Sequence, residues 1–194
     1  MTTPQGAPMP GAARVFSHLA LVVTDMDTMA DFYVDAFGFV RGTPWQAAGR
    51  RLAGLMDVEP DGLDSVFLAL GDFRLELLAY RSPHPPGERP RPASKPGFAH
   101  ISLVVDDFAG TLAAVEAAGG RPYRRMGHTY VGPGDVGPGE TAIAFVLDPD
   151  GNRVEIIWHP SAQEAAAHTA FLGLTHLGWP ARDQVRIGEA PTTP

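Results

Sequence analysis

Along this chain the spacing of apolar residues changes period several times, and the changes fall in the same order twice. From Val15 to Val23 the positions alternate, with Leu19, Leu21 and Val23 on one side and His18, Ala20 and Val22 on the other, as a strand requires. The period then lengthens. Met29, Phe32, Tyr33 and Phe37 follow helical spacing, with Asp25, Asp27 and Thr28 available to cap the first turn and Gly38 to stop the helix. After a polar stretch over 41–64 with no regular pattern, Ser65–Leu70 and Phe73–Tyr80 alternate about Gly71-Asp72, a hairpin signature. The second round starts with a strand over Phe98–Val105. Asp106 and Asp107 can cap a helix through Phe108, Leu112, Val115 and Ala118, which Gly119-Gly120 ends. A Gly/Pro-rich loop over Met126–Glu140 precedes strands at Thr141–Leu147 and Arg153–Trp158, joined by the turn Asp148-Pro149-Asp150-Gly151-Asn152.

The pattern predicts an α+β chain of two modules, each strand, helix and then two or three strands, over 14–80 and 97–160. Units of about 65 residues are small for independent domains, so two of them are expected to share a sheet. Between them, 81–96 holds six prolines and no apolar period, the mark of a stiff extended linker. Residues 1–13 read as a disordered lead. The extension at 161–194 carries a short helix through Ala170, Phe171 and Leu174, with nothing beyond Pro180 that suggests order.

Composition narrows the function. The 194 residues are 44% hydrophobic and 19% charged, a globular balance, and the net charge is −7 with a pI near 5.4. With Lys95 the only lysine, no basic face for nucleic acid or anionic lipid is expected. No apolar run reaches the roughly 18 residues that span a bilayer, and the first residues lack the basic start and apolar stretch of a signal peptide, so a cytoplasmic protein is expected. The absence of Cys removes disulfides, thiolate catalysis and Cys-ligated zinc, leaving His and carboxylate as the metal donors available.

Those donors repeat with the frame. His18-Leu19-Ala20-Leu21-Val22-Val23 returns as His100-Ile101-Ser102-Leu103-Val104-Val105, and Arg74-Leu75-Glu76-Leu77-Leu78 returns as Arg153-Val154-Glu155-Ile156-Ile157. From His to Glu is 58 residues in the first copy and 55 in the second. A lone His on an apolar strand is ordinarily a satisfied core or edge residue, and a lone Glu in a hairpin is ordinarily solvated. Packing alone would accept any apolar residue at these places, so their recurrence in register points to one metal site of two imidazoles and two carboxylates, with positions open to water or substrate oxygens.

Three stretches carry a family resemblance: the duplicated His strand, Asp31-Phe32-Tyr33-Val34-Asp35-Ala36-Phe37-Gly38-Phe39, and Ala144-Phe145-Val146-Leu147-Asp148-Pro149-Asp150-Gly151-Asn152-Arg153-Val154-Glu155-Ile156. Over about residues 14–160 the chain resembles the vicinal oxygen chelate superfamily, which includes glyoxalase I, methylmalonyl-CoA epimerase, extradiol dioxygenases and bleomycin-resistance proteins. The resemblance implies paired βαβββ modules forming a cupped, roughly eight-stranded mixed sheet around one divalent metal (Zn, Ni, Co, Mn or Fe). Carried over position by position, the ligands are His18, Glu76, His100 and Glu155. It also implies a homodimer and a small-molecule substrate. Four ligands match glyoxalase I, where epimerases usually have Gln at the place of Glu76 and dioxygenases use three ligands, here His18, His100 and Glu155.

The expected function is therefore a metal-dependent lyase or isomerase that chelates vicinal substrate oxygens and stabilises an enediolate, with Glu155 and Glu76 moving the proton. The alternatives are an Fe(II) extradiol ring-cleaving dioxygenase and a non-enzymatic drug- or metabolite-binding resistance protein. Candidate substrate contacts are His128 and Tyr130 in the loop before the last hairpin, and Arg50 and Arg51, whose forked donors suit a carboxylate or phosphate. Asp57 and Glu59 are weaker candidates for a second base. His84, His159, His168 and His176 have no partner pattern, and His159 stands about 13 Å along a strand from Glu155.

Overall fold

The structure, a computed structural model, describes residues 15–57, 61–81, 90, 92, 94–123 and 142–171. The described residues of Met1–Met26 and Val40–Ser82 form one compact unit, and those of Asp27–Phe39 and Pro83–Pro194 form a second. In chain order the elements are β1 (Leu19–Val22), α1 (Met26–Phe37), β2 (Val40–Arg41), β3 (Trp45–Ala47), α2 (Arg50–Met56), β4 (Leu63–Leu70) and β5 (Phe73–Tyr80). They continue with β6 (Ile101–Val104), α3 (Phe108–Ala117), β7 (Arg121–Pro122), β8 (Ala142–Leu147), β9 (Arg153–Trp158) and α4 (Ala162–Phe171). The fold is α+β with two mixed sheets.

In the first sheet the order is β1-β5-β4-β2, with β3 also paired to β4. β1 runs parallel to β5 and the other pairs are antiparallel. Alternation gives the sheet two unlike faces. Val66, Leu68, Leu75 and Leu77 are fully buried on one, while the other carries Phe67, Ser65, Glu76, Leu78 and Tyr80. β2 and β3 are one strand interrupted: Arg41 pairs with Leu68 but Trp45 with Ser65, so the chain between them holds one residue more than its partner. Gly42 still donates to the Phe67 carbonyl at 2.8 Å, which puts Thr43 and Pro44 together opposite Val66. Proline lacks the ladder donor, and such a bulge is where a strand tolerates it. This pairing and α2 occupy the stretch expected to be irregular, where Gly42, Pro44 and Gly49 hide the alternation. Counting the bulged strand once, each sheet has four strands; among the described residues they form two sheets and not the single sheet the modules were expected to share, because every strand pairing lies within one module.

The second sheet repeats the plan as β6-β9-β8-β7, with β6 parallel to β9. Both leading strands are shorter than their apolar patterns, starting at Leu19 and Ile101, one residue after each His. The helix ends follow the sequence signals. Asp107 caps α3 by accepting from the Gly110 amide at 2.9 Å, and Gly119, at φ +87°, closes its other end with Gly120 N donating to Val115 O at 2.9 Å.

α1 follows β1 in the chain, yet Asp27–Phe39 groups with the second unit. Met29, Ala30, Phe32, Tyr33 and Ala36 are its buried side. Gly120 explains the close approach: a Cβ there would lie 2.5 Å from Phe32 Cε2 and 2.7 Å from the Leu147 carbonyl oxygen, so only glycine fits. Tyr33 Oη donates to Asp148 Oδ2 at 3.1 Å, and Asp148 also accepts from the Asn152 amide at 2.7 Å and from Asn152 Nδ2 at 2.9 Å. Burial raises the Asp148 carboxyl above the usual carboxylate range despite these donors, and burial beside that carboxylate holds the Tyr33 phenol well above its own. Most of the expected linker, 82–89 with 91 and 93, lies outside the described residues, as do the lead and the chain beyond Phe171.

Candidate metal centre

Each unit brings its His and its Glu together. β1 is parallel to β5 in a register that sets Ala20 beside Glu76, so His18, two residues earlier, reaches the carboxylate diagonally: Nε2 lies 3.2 Å from Glu76 Oε2. β6 and β9 place Ser102 beside Glu155, and His100 Nε2 lies 3.6 Å from Glu155 Oε2. An aromatic edge fixes each imidazole from the third strand, where Phe67 and Phe145 pair with Glu76 and Glu155. The ring centroids are 5.4 Å apart for His18–Phe67 and 5.1 Å for His100–Phe145, both near-perpendicular.

The carboxylates are held differently. Glu76 Oε1 accepts from Ser65 on β4 at 2.9 Å, leaving Oε2 to face His18. Glu155 takes both contacts on one atom: Oε2 accepts from Ser102 on β6 at 2.6 Å and is also the oxygen nearest His100. Among the described residues, nothing bonds Glu155 Oε1. Ser65 is fully buried and Ser102 exposed, and the Glu76 side chain is 10% exposed against 18% for Glu155. Ser17 Oγ stands 3.0 Å from His18 Nδ1, completing the surroundings of that ring. Tyr80 lies on the Glu76 face of β5, two rows on, and burial together with the Glu76 charge pushes its phenol above the usual range.

Sequence reasoning missed the phenylalanines, Ser65, Ser102 and Tyr80. Their signal was alternation: once Glu76 and Glu155 are placed on a face, every second residue of the neighbouring strands shares it. Among the described residues no group of three or more His, Asp or Glu is gathered to hold a metal ion; the donors stand as two pairs. Arg50 and Arg51 open α2 and are exposed, and Asp57 is its left-handed C-cap at φ 53°. His128, Tyr130, Glu59, His84 and His176 lie outside the described residues. His159 is buried at the end of β9. Arg153 donates to Tyr123 Oη at 3.2 Å and stacks 4.9 Å from its ring centroid, whereas Arg74 turns back to the Asp72 carbonyl at 3.1 Å.

Both half-sites fall within the stretch that matches one family model, described as the Glyoxalase/Bleomycin resistance protein/Dioxygenase superfamily, over residues 15–156. The chain belongs to this superfamily. It is 29% identical over 148 residues to a probable chloroplastic lactoylglutathione lyase of Arabidopsis thaliana, a match covering 74% of the chain and 35% of that protein. It is 41% identical over 66 residues to a lactoylglutathione lyase of Haemophilus influenzae, covering 34% of the chain and 44% of the relative. The chain thus spans less than half the length of these relatives. A glyoxalase family protein from Bacillus cereus superposes with a TM-score of 0.65 at 12% identity, over 79% of this chain and 99% of that one, which shows a shared fold. No helix among the described residues is long and apolar enough to cross a membrane.

Proposed function

We propose that this superfamily member is a metal-dependent lyase or isomerase of the glyoxalase I type, acting on a small molecule with two neighbouring oxygens. The observation that carries the reading is the duplicated half-site, a His Nε2 within 3.6 Å of a Glu carboxylate, braced by a Ser hydroxyl and a Phe edge in each unit. The donor chemistry fits a divalent cation: imidazole nitrogens and carboxylate oxygens, no thiolate, and outer groups that orient both. His18, Glu76, His100 and Glu155 would hold one ion between them, within one chain or between two copies in a homodimer. When bound, the ion supplies Lewis-acid stabilisation of negative charge on neighbouring substrate oxygens.

The remaining chemistry belongs to the side chains. Glu76 has an oxygen fixed by Ser65 and the other facing His18, so it serves first as an anchor. Glu155 keeps Oε1 clear of partners among the described residues and is the better placed to take the proton from the carbon beside a substrate carbonyl. Its return to the neighbouring carbon completes an isomerisation, and Glu76 is the second carboxylate able to deliver it. The relatives named lactoylglutathione lyases support this class of reaction.

Elemental analysis of the purified chain, followed by turnover assays with the glutathione hemithioacetal of methylglyoxal and with acyl-CoA epimers, tests the reading. About one ion per pair of half-sites and chelator-sensitive turnover are expected. A chain that binds no divalent ion overturns it. Sedimentation at micromolar concentration is expected to give a dimer.

A further inference from the structure

The face of the first sheet that carries His18 and Glu76 does not end with them. Cross-strand partners share a face, so the pairs Trp45↔Ser65 and Ser65↔Leu78, with Val22↔Leu78, form a row across four strands: Trp45, Ser65, Leu78, Val22. The next row holds Ala47, Leu63 and Tyr80. Trp45 is on this face because of the bulge at Thr43-Pro44. In the register of β2, Trp45 would oppose Asp64 and point to the other side; the extra residue turns it to the side of Glu76. A strand that spends a bulge and a proline to aim a tryptophan across a metal-donor face is re-aiming a side chain. The tryptophan remains 42% exposed and Val22 45%, over a floor of buried Leu78 and Leu63.

Rows on one face of a sheet are about 7 Å apart along the strand, so this apolar strip begins about one phenyl ring's length from the row of Glu76. Among the described residues the matching row of the second sheet holds Val104, Ile157 and Ile143. We propose that Trp45 and Tyr80 form an aromatic subsite beside His18 and Glu76 that receives an aryl or similarly planar apolar substituent of the substrate, so that the chain favours aryl-bearing over methyl-bearing vicinal-oxygen compounds. The preference rests on the proposed chelation of such compounds by the metal-loaded protein. Stacking against an indole and a phenol, added to the area buried, supports a discrimination of about tenfold.

Two measurements separate this inference from the reading beneath it. Calorimetry of the metal-loaded full chain with mandelate and with lactate is expected to give about tenfold tighter binding of mandelate. Trp45→Ala should bring the two within about twofold and Trp45→Phe should keep most of the gap, and because Trp45 is partly exposed on an edge strand, both variants are expected to fold. Equal affinities in the wild type, undetectable binding of both included, or a gap that survives Trp45→Ala, overturns the subsite. Turnover of the glutathione hemithioacetals of phenylglyoxal and methylglyoxal then decides the reaction: no turnover of either, with the mandelate gap present and lost in Trp45→Ala, leaves the subsite standing and removes the lyase.

Discussion

The two half-sites use the same pair of side chains and differ in what restrains them. Around Glu76 the restraint comes from the middle of the sheet, a fully buried serine on β4 that holds one oxygen and leaves the other for the imidazole. Around Glu155 it comes from the sheet's edge, an exposed serine on β6 sharing the oxygen that already faces His100. A hydroxyl in the interior cannot be replaced by water without cost, whereas one at the rim can. The repeat therefore holds two like carboxylates, one with its two oxygens engaged by Ser65 and His18, the other with Oε1 unengaged among the described residues.

Removing one of the proposed metal donors is the strongest way to break the comparison. His18→Ala and His100→Ala are each expected to weaken divalent-ion binding at least about 100-fold, read by calorimetry; a loss in only one variant would mean that a single half-site holds the ion. Replacing a carboxylate comes next. Glu155→Gln should lower turnover by about 100-fold or more, and Glu76→Gln should keep more metal than activity. Full activity in Glu76→Gln would instead favour a three-ligand site of His18, His100 and Glu155, the arrangement of a ring-cleaving dioxygenase.

The serines sharpen the contrast in stability. Ser65→Ala leaves a buried carboxylate short of a donor and is expected to cost about 1.5–3 kcal/mol in urea unfolding, against under about 0.5 kcal/mol for Ser102→Ala. Equal costs would erase the distinction between anchor and rim. The smallest effect concerns the β8–β9 turn. With its carboxyl raised by burial, Asp148 binds its proton more tightly folded than unfolded, so its contribution to stability is full below the ordinary Asp range and is lost as pH rises through the folded value. Unfolding curves of the wild type and Asp148→Asn, compared between pH 3 and 7, should show the wild type losing ground to the variant as pH rises; parallel profiles would refute the shift. The matching Asp72 in the β4–β5 turn is exposed.

What could be read from the sequence was whatever repeated. The alternation in β1 and β6, the turn residues of both hairpins and the caps at Asp107 and Gly119 each rest on local chemistry, and the structure has them. His18 and Glu76, like His100 and Glu155, were legible as pairs because they recur in register. The bulged β2–β3 strand was not, since Gly42 and Pro44 break the period that marks a strand, and its meaning depends on which residue of β4 lies opposite. Ser65 and Tyr80 were hidden for the same reason: a serine among apolar residues is unremarkable until its strand is set beside Glu76. The grouping of α1 with the second unit was equally silent, because helical spacing names the face a helix buries and not the sheet that receives it.

That grouping has a consequence for synthesis on the ribosome. Tyr33 leaves the exit tunnel 115 residues ahead of Asp148, the carboxylate its hydroxyl meets in the finished protein. At ordinary elongation rates the interval is on the order of ten seconds, long compared with the microseconds in which a helix forms. For the first three quarters of it Phe32 waits without Gly120, and throughout it Tyr33 waits without the β8–β9 turn. The nascent chain thus carries this apolar helix face without those partners until Asn152 has emerged, and truncated products that stop before Asn152 should be the species that chaperones hold and proteases clear.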